Sequence, residues 1–89
     1  MNHATVPTLA EFVDDISGIY QAMKGGSRCL VADTLLADLE LDSLERVEML
    51  VIVEELYGTL LAGDRELLEV KCVADLYALV TRLASPRAR

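Results

Sequence analysis

The sequence has few of the residues from which metal sites and covalent cross-links are made. It has no tryptophan, a single histidine (His3) and two cysteines, Cys29 and Cys72, which lie far apart without a CxxC spacing. A zinc site or a disulfide framework is therefore not expected. Two reduced thiols suit a cytoplasmic protein.

Long apolar runs are also missing. The longest, Met49 to Val53, is far too short to cross a bilayer, which requires about 20 apolar residues. The first residues, MNHATVPTLAEF, contain neither the basic nor the apolar region of a signal peptide. We therefore expect no membrane association and a cytoplasmic location.

Acidic residues outnumber basic ones by 15 to 8, and the formal net charge is −7. Such a surface repels phosphate backbones, so nucleic acid is not an expected partner, whereas a protein with a basic docking patch is. The excess of aliphatic over aromatic residues favours packed helices over a sheet.

Apolar periodicity predicts the first helix. Thr8 and Glu11 have the spacing of a capping box, and apolar residues then recur at intervals of three and four up to Met23. The pair Gly25-Gly26 should end this helix.

The rest of the chain predicts three more helices. Leu44 to Tyr57 forms the second helix, ended by Gly58, while Asp64 to Glu69 forms a short third helix and Val73 to Leu83 a fourth. The connection from Ser27 to Asp42 has no sustained period but carries many apolar residues, so it should lie on the core.

The predicted fold is all-α: a small four-helix bundle with three main helices, a short third helix and a long first loop. The domain is expected to span residues 8–84 and to be monomeric, with a flexible leader at 1–7 and a flexible basic tail at 85–89.

The second predicted helix has two different apolar sides. The side expected to be buried consists of Met49, Leu50, Val53, Leu56 and Tyr57. Nearly opposite lie Leu44, Glu48, Val51 and Glu55, which we call the acidic–apolar stripe; Glu45 and Glu54 lie beside it. Apolar patches rimmed by charge are typical of docking surfaces. A crowded helix with a few exposed aliphatic residues has the same pattern, so both interpretations stay open.

Ser43 stands at the start of this helix, where three roles are open to it. A hydrolytic serine needs a base within reach, but the single histidine is in the leader and no GxSxG motif is present, so catalysis is not expected. Ser43 or Asp42 could cap the helix, which is worth about 1 kcal/mol. An exposed hydroxyl there is also accessible to a modifying enzyme, and the helix dipole tolerates a phosphodiester.

The segment DLELDSLERVEMLVIVEELYG, Asp38 to Gly58, resembles the signature of the acyl carrier protein family. That signature is D-L-G-x-D-S-L, followed by an acidic helix rich in leucine and valine that ends in E-E-x-F-G. Chain length, acidity, helix order and the V-x-D-L opening of the fourth helix (Val73 to Leu76) are also similar, so the resemblance covers most of the chain.

The resemblance implies a discrete, non-catalytic carrier with an acyl-carrier-like fold. A separate phosphopantetheinyl transferase would attach 4′-phosphopantetheine to Ser43, and the thiol of this arm would carry acyl groups as thioesters. Polyketide or fatty-acid-type biosynthesis is the implied setting.

The resemblance also implies roles for other residues. Asp42 would help the transferase to hold Mg²⁺, and the chain itself would hold no metal. Basic patches of the transferase, a ketosynthase, an acyltransferase or another acyl-processing enzyme would contact Leu44, Glu45, Glu48, Val51, Glu54 and Glu55. In several family members the acyl chain folds back into the bundle, and here Leu50, Val53 and Tyr57 would line that pocket.

The sequence departs from the family pattern in three places. Glu40 stands where the family usually has glycine, and a different turn is expected there because a non-glycine residue resists positive φ. Arg46 places a cation in the first turn of the second helix. The segment Leu60-Leu61-Ala62 is more apolar than usual.

Two other functions remain open. A peptidyl or aryl carrier of a nonribosomal pathway usually has G-G-x-S-L, whereas this chain has Glu40-Leu41-Asp42-Ser43-Leu44, which favours an acyl carrier. An unmodified helical adaptor would use the stripe only for binding. In an adaptor, Ser43→Ala would remove a cap worth about 1 kcal/mol and leave function intact.

Overall fold

A computed structural model describes residues 7–61 and 65–84. Within these residues there are three α-helices: α1 (Leu9–Lys24), α2 (Ser43–Tyr57) and α3 (Val73–Ala84). Two 3₁₀ helices, Leu36–Leu39 and Arg65–Glu69, lie between them. None of the described residues forms a β-strand, and none of the described helices is long and apolar enough to span a membrane.

The predicted all-α fold is confirmed, but the four-helix bundle is not. The predicted third helix is a short 3₁₀ helix, Arg65–Glu69, and Asp64 lies outside the described residues. The predicted leader, except for Pro7, and the tail at 85–89 also lie outside them.

Helix α1 begins and ends where the sequence predicts. The Thr8 Oγ1 atom accepts the Glu11 N–H at 3.1 Å, and Glu11 Oε1 accepts the Thr8 N–H at 2.9 Å. Both bonds of the capping box are therefore present. Gly25 follows the last helical residue at φ 80°, a conformation that disfavours side chains with a Cβ.

Helix α3 begins at Val73 and carries Asp75 in its first turn. The Asp75 Oδ2 atom accepts the N–H groups of Lys71 at 3.0 Å and Cys72 at 3.3 Å. The bond from Lys71 is the main cause that lowers the pKa of the Asp75 carboxyl below its ordinary value. Asp75 thus caps the helix by hydrogen bonds as well as by its charge.

The core lies where α1 packs against both α2 and α3. Phe12 and Ile16 of α1 are fully buried, and the Phe12 ring lies 5.5 Å from the Tyr57 ring and 5.4 Å from the Tyr77 ring. Three of the four aromatic residues of the chain therefore pack together around Phe12 of α1.

The long loop between α1 and α2 lies on this core, as predicted. Leu30, Leu39 and Leu41 are buried, and the Ser17 hydroxyl of α1 accepts the Leu30 N–H at 2.9 Å. Tyr20 Oη donates to the Leu39 carbonyl at 3.2 Å. The loop is thus held by side chains of α1 as well as by burial.

Backbone bonds also join this loop to the start of α3. Leu35 and Cys72 form an isolated antiparallel bridge, and the Leu36 N–H donates to the Lys71 carbonyl at 2.8 Å. In the other direction, the Val73 and Ala74 N–H groups donate to the carbonyls of Thr34 and Ala32, at 3.0 and 2.9 Å. We call this set of bonds the loop–α3 bridge.

The apolar segment after α2 has a structural role. Leu61 is fully buried and its N–H donates to Glu54 Oε2 at 2.7 Å, whereas Leu60 is exposed. The expectation that Leu56 belongs to the buried side of α2 is wrong, because its side chain is 53% exposed. Of the residues expected on that side, Met49 and Val53 fill the core.

Candidate functional site

Ser43 is the first residue of α2 and is exposed. The cap of the helix is Asp42, whose Oδ1 atom accepts the Glu45 N–H at 2.8 Å. Within residues 7–61 and 65–84 the Ser43 hydroxyl makes no hydrogen bond. Of the two residues able to cap this helix, Asp42 does so and leaves the Ser43 hydroxyl accessible.

Glu45 also takes part in the cap of α2. Its Oε1 atom accepts the Asp42 N–H at 3.1 Å, which completes a second capping box. Both carboxylate oxygens also accept from Lys24 Nζ, at 3.1 and 3.2 Å. This hydrogen-bonded pair raises the pKa of Lys24 above its ordinary value. The end of α1 is thereby joined to the first turn of α2.

Glu40 adopts the left-handed conformation, with φ 57° and ψ 39°. The expectation that a non-glycine residue would avoid positive φ here is wrong. The surrounding structure explains why: Leu39 and Leu41 on either side are both buried, and Lys24 Nζ makes a long contact of 3.5 Å with the Glu40 carbonyl. The packing of its two neighbours determines the turn, at a cost of about 1 kcal/mol.

The acidic–apolar stripe is an exposed surface. Leu44 is 67% exposed and Val51 43% exposed, and Glu48 and Glu55 are exposed as well. The structure adds Val47, 56% exposed, one turn after Leu44 on the same side of the helix. The sequence signal for Val47 was its i, i+3 spacing from Leu44.

The two acidic residues expected beside the stripe are engaged within the protein. Glu45 belongs to the capping box and the ion pair with Lys24, and Glu54 accepts the Leu61 N–H. Both side chains are half-buried. The described carboxylates that face outward from the stripe are therefore Glu48 and Glu55.

The three residues expected to line an acyl pocket lie in different surroundings. Val53 is fully buried in the core, and Tyr57 packs on Phe12 while its hydroxyl donates to Asp15 Oδ2 at 2.5 Å. Burial, followed by this bond, raises the pKa of Tyr57 above its ordinary value. Of the three, Leu50 lines an open cavity.

That cavity is a groove of about 530 Å³ beside α2. Its aliphatic lining comes from the loop (Leu35, Leu36, Ala37), from α2 (Leu50), from the second 3₁₀ helix and the residue after it (Leu67, Leu68, Val70) and from α3 (Leu76). Two cations, Arg46 and Lys71, complete the lining. We call this cavity the α2 groove. Arg46, whose effect the sequence left open, is part of its wall.

The described residues contain no group of three or more His, Cys, Asp and Glu side chains that could hold a metal ion. His3 lies outside the described residues. The described part of the site presents the accessible Ser43 hydroxyl with an acidic and apolar surface beside it.

Comparison of the chain with protein-family models, with curated proteins and with solved structures finds no match.

Proposed function

We propose that this chain is an acyl carrier protein with an acyl-carrier-like fold, modified with 4′-phosphopantetheine at Ser43. One observation carries the proposal: the Ser43 hydroxyl is exposed at the start of α2 and is not needed as its cap, because Asp42 is the cap. A serine without a structural task, in a segment that resembles the carrier signature, is the residue expected of a modification site.

The residues around Ser43 suit a phosphodiester. The N–H groups of Ser43 and Leu44 lie in the first turn of α2, where no preceding helical carbonyl can accept them. Such N–H groups, together with the positive end of the helix dipole, favour an anion on the serine oxygen. The bound arm supplies a thiol that carries acyl groups as thioesters.

Asp42 can serve both the helix and a modifying enzyme. Its Oδ1 atom is used by the cap, and the other carboxylate oxygen has no described partner. A carboxylate oxygen next to the serine is a suitable ligand for the Mg²⁺ that the transferase brings with its substrate. The cap holds this carboxylate in place before docking.

The acidic–apolar stripe, with Val47, is the proposed docking surface. Leu44, Val47 and Val51 offer an apolar strip, while Glu48 and Glu55 offer charge to lysine and arginine of a partner. Partners of this kind would include the transferase, a ketosynthase and an acyltransferase. Exposed charge contributes more to association rate and specificity than to affinity, which suits a carrier that must leave each enzyme after its turn.

The test is modification by a promiscuous phosphopantetheinyl transferase with coenzyme A and Mg²⁺, read as intact mass and mapped by peptide. We expect a gain of one phosphopantetheine on Ser43 and none in Ser43→Ala. Ser27→Ala, which removes a hydroxyl from the loop, is the matched control and should be modified normally. An unchanged mass of folded protein with several transferases would refute the proposal.

A second candidate is an unmodified helical adaptor, favoured by the exposure of Leu44, Val47 and Val51 on one helix face. It predicts that Ser43→Ala keeps all binding, whereas Val47→Glu abolishes it. For a carrier, Ser43→Ala abolishes function by itself. The Leu41-Asp42-Ser43 segment, which lacks the glycines of peptidyl and aryl carriers, favours acyl cargo among the carriers.

A further inference from the structure

The α2 groove differs in charge from the rest of this acidic protein. None of its ten lining residues is acidic, and two of them, Arg46 and Lys71, are cations. The chain as a whole has 15 acidic and 8 basic residues. The neighbouring cavity, between the second 3₁₀ helix and α3, is lined by three carboxylates, those of Glu66, Glu69 and Asp75, besides two arginines. The α2 groove is therefore cationic and free of acidic residues, whereas the neighbouring cavity is not.

Lys71 and Arg46 differ in the bonds that they make within the protein. Lys71 adjoins the cap of α3, where the Asp75 carboxylate accepts its backbone N–H. Arg46 makes no ion pair or hydrogen bond through its side chain within the described residues. Arg46 is an exposed residue at the wall of an aliphatic groove, and a guanidinium can bind a carboxylate with two parallel bonds.

The groove lies on the same side of α2 as Ser43. Arg46 and Leu50 follow Ser43 by three and seven residues, which places all three along one line of the helix surface. The rest of the lining is aliphatic and none of the ten residues is aromatic, so the groove fits a flexible hydrocarbon chain better than a ring.

We propose that the α2 groove binds an aliphatic acyl chain that ends in a carboxylate, with Arg46 as the principal carboxylate-binding residue and Lys71 as the second. This rests on the proposed function, because the chain would be tethered through Ser43. The first carboxyl group of the cargo is consumed in the thioester and carries no charge. A cationic groove therefore selects cargo with a second acid group, the half-thioester of a dicarboxylic acid.

The test compares two cargoes of equal length, octanoyl and octanedioyl. The transferase attaches each as its acyl-phosphopantetheine unit to the Ser43 oxygen from the corresponding coenzyme A thioester, with adenosine 3′,5′-bisphosphate as the leaving group and the thioester intact. The readouts are the methyl NMR shifts of Leu50 and Leu76 and the thermal midpoint of unfolding. We expect octanedioyl cargo to occupy the groove about three- to fivefold more than octanoyl, in line with a partly exposed charge pair. Added salt should reduce the difference.

Variants identify the cation responsible. Arg46→Gln should remove most of the preference for octanedioyl, Arg46→Lys should retain part of it, and Lys71→Gln should weaken it. Arg28→Gln, which removes the same charge from the loop outside the groove, should leave it unchanged. If Arg46 instead binds the phosphodiester of the arm, Arg46→Gln will change both cargoes equally, and the proposal is overturned.

A second experiment separates this proposal from the proposed function. The unmodified chain is titrated with monomethyl octanedioate and with its neutral dimethyl ester, and the same methyl shifts are followed. Binding of the anion and not of the diester supports the groove assignment even if no transferase modifies Ser43. Equal methyl shifts from the two ligands, or no shifts from either, overturn the assignment of the groove as a carboxylate-binding site. The proposed modification of Ser43 is then decided by the transferase experiment alone.

Discussion

The start of α2 offers a sharp prediction, because Asp42 and Ser43 are adjacent residues that could each cap a helix. In the structure Asp42 accepts the Glu45 N–H at 2.8 Å, and Ser43 is exposed without a described partner. Asp42→Ala should therefore destabilise the protein, whereas Ser43→Ala should leave the free energy of unfolding nearly unchanged. The pair tests the local geometry on which the proposed function depends.

The expected magnitudes follow from what each side chain does. Loss of a capping side chain costs about 1 kcal/mol, and loss of a negative charge at a helix start adds about 0.5 kcal/mol, so Asp42→Ala should cost about 1.5 kcal/mol. Ser43→Ala removes no bond and introduces a good helix former, so it should stay within about 0.5 kcal/mol of wild type. Asp42→Asn keeps an acceptor oxygen and should lose only the charge contribution.

Urea unfolding followed by helical circular dichroism measures these differences. With no tryptophan in the chain, tyrosine fluorescence supplies the second probe of two-state behaviour. For a domain of this size about 1 kcal/mol corresponds to a change of roughly 4–8 °C in the thermal midpoint, so the variants are easily separated. A loss in Ser43→Ala as large as that in Asp42→Ala would show that the serine is the cap, and the argument from its accessibility would fail.

Three further predictions concern other features. Glu40→Gly should stabilise the protein by about 0.5 kcal/mol, since relief of the left-handed conformation outweighs the added freedom of the unfolded chain, and Glu40→Ala should not; chemical denaturation checks both. Because the pKa of Tyr57 is raised in the folded state, the contribution of its neutral hydroxyl to the free energy of unfolding is fully present below pH ~10 and is lost as the pH rises further. Tyr57→Phe should therefore lose less stability than wild type in an alkaline pH series. An identical loss of stability in both proteins would contradict the raised pKa of Tyr57. Val53→Ala, at a buried position, should cost about 2 kcal/mol in thermal unfolding. Val47→Ala, at an exposed position, should cost under about 0.5 kcal/mol and should slow the modification of Ser43. Equal losses of stability in the two variants would contradict the orientation of α2.

The helices could be predicted because their signals are local. The capping box at Thr8 and Glu11 and the glycines after α1 and α2 act within a few residues, so their effects can be read without the fold. The assignment of the cap to Asp42 could not be predicted, because Asp42 and Ser43 are both good caps and a shift of one residue in the helix start exchanges them.

The other features that the sequence did not predict depend on tertiary contacts. Glu40 is left-handed between two buried neighbours, Leu39 and Leu41, and Leu56 is exposed although it shares a side of α2 with the buried Met49 and Val53. The α2 groove depends on residues that come together only in the folded chain, so the sequence indicated Leu50 but not the role of Arg46.

The loop–α3 bridge has a consequence for the order in which the chain folds. It joins Ala32–Leu36 to Lys71–Ala74 through main-chain groups, so the long loop gains these bonds only after the last helix has arrived. Closing so long a loop is entropically costly and belongs to the late, slow part of folding. A chain still emerging from the ribosome therefore lacks these bonds on the loop that leads to Ser43 until residues 71–74 have been made. A transferase that requires this loop in place would distinguish finished molecules from unfinished ones.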